Sequence, residues 1–181
     1  GGACCNRKSE QAVEAKTQPV TYLIESSKGM DEFKKEYEYI SILGNGSYGT
    51  VKLYRGSKHH SIRYAVKTIT KSTLDPDTIK LLSNEVQILK TLDHPNIVKF
   101  YGTFEDEGFI NIVMEYIEGD SLGKLVNKHK SKAFNEKEVN KIVVNLLKTI
   151  MYLHNSGIIH RDIKPSNILF RQQNNPESLK L

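Results

Sequence analysis

The sequence predicts an α+β protein in two lobes: five β-strands around one helix, followed by the beginning of a mostly helical lobe. Three observations predict it. Strand-like runs recur between residues 39 and 114 with a single helical pattern among them. Beyond Gly119 the apolar residues change from a period of 2 to one of 3.6. The composition, 38% hydrophobic and 26% charged, supports a packed core and excludes a collagen or a chain disordered throughout. No apolar run approaches the roughly 18 residues of a membrane-spanning helix. The net charge of +5 is mild and its positive residues are scattered, so no nucleic-acid partner is expected. The two cysteines, Cys4 and Cys5, are adjacent and form no disulfide framework, which points to the cytoplasm.

In chain order, residues 1–30 read as a flexible tail, with Thr21-Tyr22-Leu23-Ile24 as a short β-prone run able to dock on the domain. Tyr39 to Leu43 and Gly49 to Tyr54 are β-rich and flank Gly44-Asn45-Gly46-Ser47-Tyr48, a hairpin with a glycine-lined turn. Gly56-Ser57-Lys58 is a second turn, and Arg63 to Ile69 a third strand. A helix follows, with Asp75 as cap, Pro76 in its first turn, and Ile79, Leu82, Val86 and Leu89 on one stripe. His94-Pro95-Asn96 breaks it. Strands over Ile97 to Tyr101 and Phe109 to Met114 flank an acidic turn, Glu105 to Gly108. Asn135 with Glu138 forms a capping box for a helix carrying Val139, Ile142, Val143, Leu146, Leu147, Ile150 and Leu153, which Gly157 ends.

Three segments carry chemistry. Gly44-x-Gly46-x-x-Gly49-x-Val51 sets glycines at a hairpin tip, where backbone N–H groups of a segment including Asn45 and Ser47 approach a phosphate unobstructed. In dinucleotide-binding folds the third glycine opens a helix; here Thr50 and Val51 continue a strand, which excludes that reading. Lys67 closes the strand run Ala65-Val66-Lys67, ordinarily the place of a solvated edge residue. Glu85 borders the buried stripe of the first helix, from where a carboxylate reaches Lys67. The third segment is His160-Arg161-Asp162-Ile163-Lys164-Pro165-Ser166-Asn167. Five specified residues of that string arise by chance in about one chain in twenty thousand of this length.

Glycine hairpin, strand lysine, helix glutamate and this loop, in that order, resemble a eukaryotic protein kinase of the serine/threonine type from Tyr39 to Leu181. The resemblance implies an ATP-binding lobe and hinge over residues 31–118 and the start of a C-terminal lobe over 119–181. It implies that Gly44, Gly46 and Gly49 cover the phosphates and that Lys67, paired with Glu85, holds the α- and β-phosphates of ATP. Asp162 is then the catalytic base, Lys164 meets the γ-phosphate, and Asn167 is a Mg²⁺ ligand. Val51, Ala65 and Leu169 match the positions that sandwich adenine. Met114 matches the residue at the back of the pocket, with hinge backbone at Glu115 and Ile117, and Ser121 stands where a ribose-binding glutamate is usual. Protein substrates are the implied partners. Arg161 resembles the arginine of kinases controlled through a phosphorylated activation loop.

Gly1-Gly2-Ala3-Cys4-Cys5-Asn6-Arg7-Lys8 resembles a dual acylation signal, with Gly1 or Gly2 and Cys4 and Cys5 as acceptors and peripheral membrane attachment as the consequence. A disordered tail with two free thiols is the competing reading. The tail and the asparagine-rich stretch Arg171 to Ser178 resemble calcium-dependent protein kinases. Gly119-Asp120-Ser121-Leu122 departs from the Gly-Gly-Glu-Leu usual there, and the loop at Asp162 resembles kinase-cascade enzymes as much. No EF-hand loop occurs in these 181 residues. The family pattern continues with Asp-Phe-Gly, whose aspartate is a second metal ligand, so the resemblance implies a piece inactive alone whose long helix keeps an uncovered apolar stripe. A nucleotide-binding pseudokinase or scaffold is the alternative function, and a membrane-tethered adaptor a third.

Overall fold

The computed structural model describes residues 23–46, 49–129, 134–172 and 175–181. A six-stranded sheet is followed by helices, giving the expected α+β arrangement. In chain order the first lobe contains β1 (Lys28–Gly29), α1 (Met30–Glu36), β2 (Tyr37–Gly46), β3 (Gly49–Gly56), β4 (Arg63–Thr70), α2 (Pro76–Thr91), β5 (Phe100–Glu105) and β6 (Phe109–Glu115). The sheet order is β1-β5-β6-β4-β3-β2. Every pairing is antiparallel except that of the two-residue β1, which runs parallel to β5. The five expected strands are therefore joined by a sixth drawn from the stretch read as tail.

Within the tail expected over residues 1–30, residues 23–30 instead pack on the domain, and Met30 opens α1. Ile24 is fully buried, Leu23 packs beside it, and β1 extends the sheet. The cause lies about 80 residues away, in the carboxylate of Glu105, which accepts the backbone N–H groups of Leu23 and Ile24 at 2.9 and 2.8 Å. Gly1, Gly2, Cys4, Cys5, Thr21 and Tyr22 lie outside the described residues, as does Ser47.

Helix α2 starts as its sequence dictates. Asp75 accepts the Thr78 N–H at 2.8 Å, Pro76 opens the first turn, and Leu82 and Val86 are buried. The strand expected over Ile97 to Tyr101 begins instead at Phe100 and continues to Glu105. Residues 96–98 are diverted because their backbone serves the end of the chain. Leu181 N–H donates to Asn96 O at 2.7 Å, and Val98 N–H donates to Leu181 O at 3.0 Å.

The second lobe contains α3 (Leu122–His129), α4 (Glu136–Asn155), β7 (Leu169–Phe170) and β8 (Leu179–Lys180). The Asn135–Glu138 capping box opens α4, and Gly157, at φ +72°, takes the left-handed conformation that ends it. Ile142 and Leu153 are buried, whereas Val143, Leu147 and Met151 are exposed. The Leu179-Lys180 fragment pairs with β7. Two clusters fill the first lobe, one on each face of the sheet: Ile69, Leu82, Val86, Ile110 and Ile112 beneath α2, and Phe33, Val66, Phe104 and Val113 beneath α1. Leu125, Ile142, Ile168, Phe170 and Leu179 fill the second lobe.

Candidate active site

Strand register assembles half of the site. Gly44 lies opposite Val51, Val51 opposite Lys67, and Lys67 opposite Ile112, while Ala65 lies opposite Met114. Side chains alternate along a strand, so Val51, Ala65, Lys67 and Met114 project from one face. The glycines have different physical reasons. A Cβ on Gly49 would meet the Thr68 carbonyl oxygen at 2.2 Å, so only glycine permits this approach of β3 to β4. A Cβ on Gly44 would meet nothing within 4 Å, leaving open space over the strand.

Lys67 and Glu85 come together as expected, with Nζ 3.7 Å from Oε1. The lysine side chain is 18% exposed and the glutamate 50%. A pair this open contributes at most about 1 kcal/mol to stability.

The loop at residues 160–167 forms the other half. Arg161, directly before Asp162, has φ +64°, unusual for a residue with a side chain. Asp162 N–H donates to His160 Nδ1 at 3.3 Å. Lys164 Nζ lies 2.9 Å from Asp162 Oδ2, and Asn167 Nδ2 donates to both the backbone oxygen and Oδ2 of Asp162 at 2.9 Å. The Lys164 hydrogen bond, then that from Asn167, hold the Asp162 carboxyl below the usual carboxylate range. It is therefore ionised at neutral pH, hydrogen-bonded on one oxygen and exposed to solvent.

Between the halves runs the segment carrying Glu115 and Ile117. The Glu115 N–H is taken by Lys99 O at 2.8 Å, and its side chain turns away toward Lys180, 2.9 Å away, and Arg171. Burial pushes the Glu115 carboxyl up, but the hydrogen bonds from Lys180 and Lys99 N–H outweigh it and leave the group lowered. Leu169, half-buried in β7, pairs with Lys180 and bridges to Ser121. Ser121 is 8% exposed, and its Oγ accepts the Lys124 N–H at 3.2 Å. Its hydroxyl serves the first turn of α3, because a short side chain at a helix start finds the free N–H groups nearest. Sequence reasoning missed Lys180, Arg171, Glu105 and Lys71. Their partners are distant in sequence, and only the apolar neighbours of Lys180 hinted that it is buried.

Among the described residues no group of three or more His, Cys, Asp or Glu is placed to hold a metal on protein side chains alone. No described helix is long and apolar enough to cross a membrane.

The protein kinase domain family matches residues 37–181. The chain is similar to calcium-dependent protein kinase 4 of Plasmodium falciparum, 38% identical over 149 residues that cover 81% of this chain and 28% of that protein. It is also similar to myosin light chain kinase A of Dictyostelium discoideum, 37% identical over 147 residues, covering 81% of this chain and 48% of that one. Among solved structures, that of Rad53 residues 1–466 in complex with AMP-PNP superimposes with a TM-score of 0.71 at 33% identity, over 82% of this chain and 38% of that one. The chain thus spans less than half the length of these relatives.

Proposed function

The chain belongs to the protein kinase family, and we propose that it supplies the nucleotide-binding lobe and catalytic loop of a serine/threonine kinase acting on proteins. The observation that carries this reading is Asp162, exposed yet held ionised by Lys164 and oriented by Asn167, in a chain whose Lys67 and Glu85 meet on the other lobe. Phosphoryl transfer is catalysed by positioning and charge compensation. Lys67, aimed by Glu85, holds the α- and β-phosphates of ATP beneath the glycine hairpin. Val51, Ala65 and Leu169 enclose the base, with Met114 behind it and the backbone of Glu115 and Ile117 at its edge. Asp162 orients a serine or threonine hydroxyl and accepts its proton as the oxygen bonds to the γ-phosphorus. The bond from that phosphorus to the β,γ-bridging oxygen breaks, and ADP leaves. Lys164 offsets charge on the transferring group.

The donor set fits Mg²⁺ that arrives with the phosphates rather than before them, since Mg²⁺ takes one or two protein oxygens and keeps phosphate and water for the rest. Asn167 would hold it through Oδ1, because Nδ2 is turned to Asp162. When bound, the ion supplies neutralisation of phosphate charge. The tail supports a cytoplasmic protein with peripheral membrane attachment through acylated Gly1 or Gly2 and Cys4 and Cys5.

The test is transfer of label from γ-labelled ATP to a protein substrate by the full-length protein. Lys67→Met and Asp162→Asn are each expected to abolish transfer while preserving the fold, the general-base share alone being about 10² to 10⁴-fold. Wild-type rates in either variant would overturn the assignment; nucleotide binding without transfer in the unaltered protein would favour the pseudokinase reading.

A further inference from the structure

The Lys67–Glu85 contact is long and half in water, so the ion pair cannot itself fix the position of α2. Leu82 and Val86 seat that helix on Ile69, Ile110 and Ile112 of the sheet, and residues 23–27 add a further hold on it. Ile24 is fully buried in one cluster with Leu82 and Val86, the α2 residues three before and one after Glu85. Further along the helix, Lys90 Nζ donates to the backbone oxygen of Glu25 at 2.8 Å, and Gln87 Nε2 reaches its carboxylate at 3.4 Å.

The segment is anchored at its other side by Glu105. That side chain is fully buried, accepts the two backbone N–H groups of Leu23 and Ile24, and lies 2.6 Å from Ser27 Oγ. Its charge is matched by Lys71, whose Nζ is 2.9 Å away. Lys71 follows directly on β4, the strand that carries Lys67. One short segment is thereby tied to α2, which presents Glu85, and to the end of the strand that presents Lys67.

We propose that residues 23–27 are a brace that sets the register of Glu85 against Lys67, with Ile24 and Glu105 as positioning residues for nucleotide binding. The brace rests on the kinase reading only for its consequence; its mechanical part stands on packing alone. A buried carboxylate that spends its oxygens on amides of a segment preceding the domain makes that segment part of the site. Anything that pulls residues 23–27 away would loosen Glu85 without touching the nucleotide.

The test uses the 181-residue chain with Ile24→Ala and with Glu105→Gln, read by hydrogen exchange and by affinity for Mg·AMP-PNP. Amides of α2 are expected to exchange about tenfold faster in both variants while those of β3 and β4 keep their protection. Affinity is expected to fall several-fold, to be kept by Ile24→Val, and to fall no further when either change is added to Glu85→Ala. Unchanged α2 exchange, with protection lost only in residues 23–29, would overturn the brace. So would an equal affinity loss in the Glu85→Ala background. Should a core variant lose strand protection as well, Lys90→Met decides: faster α2 exchange supports the brace and unchanged exchange overturns it. If the unaltered chain fails to bind nucleotide, the affinity arm is run on the full-length protein, where absence of binding counts against the kinase reading, and the exchange data still decide the brace.

Discussion

Asp162 has a side chain 61% exposed, where water alone would leave its carboxyl titrating like any surface aspartate. Lys164 and then Asn167 pull it lower. Replacing Lys164 by Met is therefore expected to raise the Asp162 pKa toward its unperturbed value of about 3.9, read by carboxyl-carbon NMR. The sign for stability follows from linkage. A carboxyl lowered in the folded state contributes stability above its unfolded pKa, and that contribution is lost as pH falls through the folded value. The Lys164→Met chain should thus differ from the parent at neutral pH and converge with it in acid; an unchanged Asp162 titration would refute the pairing. This constellation was legible in the sequence because its members lie within six residues of one another. The capping bond of Ser121 was not legible, because a family position does not reveal that a helix N-terminus will claim the hydroxyl.

At the scale of elements, the glycine hairpin separates two uses of one residue type. Gly49 is required by the close approach of Thr68 O, whereas the space above Gly44 is open. Gly49→Ala is expected to cost roughly 1–3 kcal/mol in chemical denaturation through overpacking against backbone. Gly44→Ala should stay within about 0.5 kcal/mol and weaken nucleotide binding instead. Equal destabilisation by the two would contradict this division. Helix caps were legible because capping is local chemistry: Asp75 and Asn135 bond where their spacing says they should. The strand expected at Ile97 was displaced by three residues because its backbone is used by Leu181, a partner no local pattern shows. The burial of Glu105, in what reads as an acidic turn, was hidden for the same reason: it depends on Lys71, Ser27 and the amides of Leu23 and Ile24.

For the whole molecule, Lys180 ties the end of the chain to the junction of the lobes. Its ammonium is 7% exposed, donates to Ile97 O at 3.0 Å, and lies 2.9 Å from Glu115 on the segment between the lobes. The ring of His94 lies against Tyr152 with centroids 4.8 Å apart, and Tyr152 Oη accepts the Asp93 N–H, which adds a second tie. Lys180→Met leaves Glu115 with Arg171 as its remaining cationic partner and Ile97 O without its donor, and roughly 1–2 kcal/mol of stability should be lost at neutral pH. Glu115 is lowered in the folded state, so the difference from the parent should shrink as pH falls through that lowered value. Two-lobe architecture was legible from the change in hydrophobic period near Gly119. The clamp was not, since a lysine between two leucines reads equally as a strand's solvent face.

Nucleotide binding between the glycine hairpin and the loop at Asp162 is tested most directly by amide NMR of the labelled chain titrated with Mg·AMP-PNP. Saturable shifts are predicted at Gly44, Gly49, Lys67, Ile117 and Asn167, and their loss is predicted in Lys67→Met. Behind the segment between the lobes lies a separate cavity of about 240 Å³ lined by His94, Lys99, Glu115 and Lys180. Shifts confined to that cavity, or none at saturating nucleotide, would contradict the account.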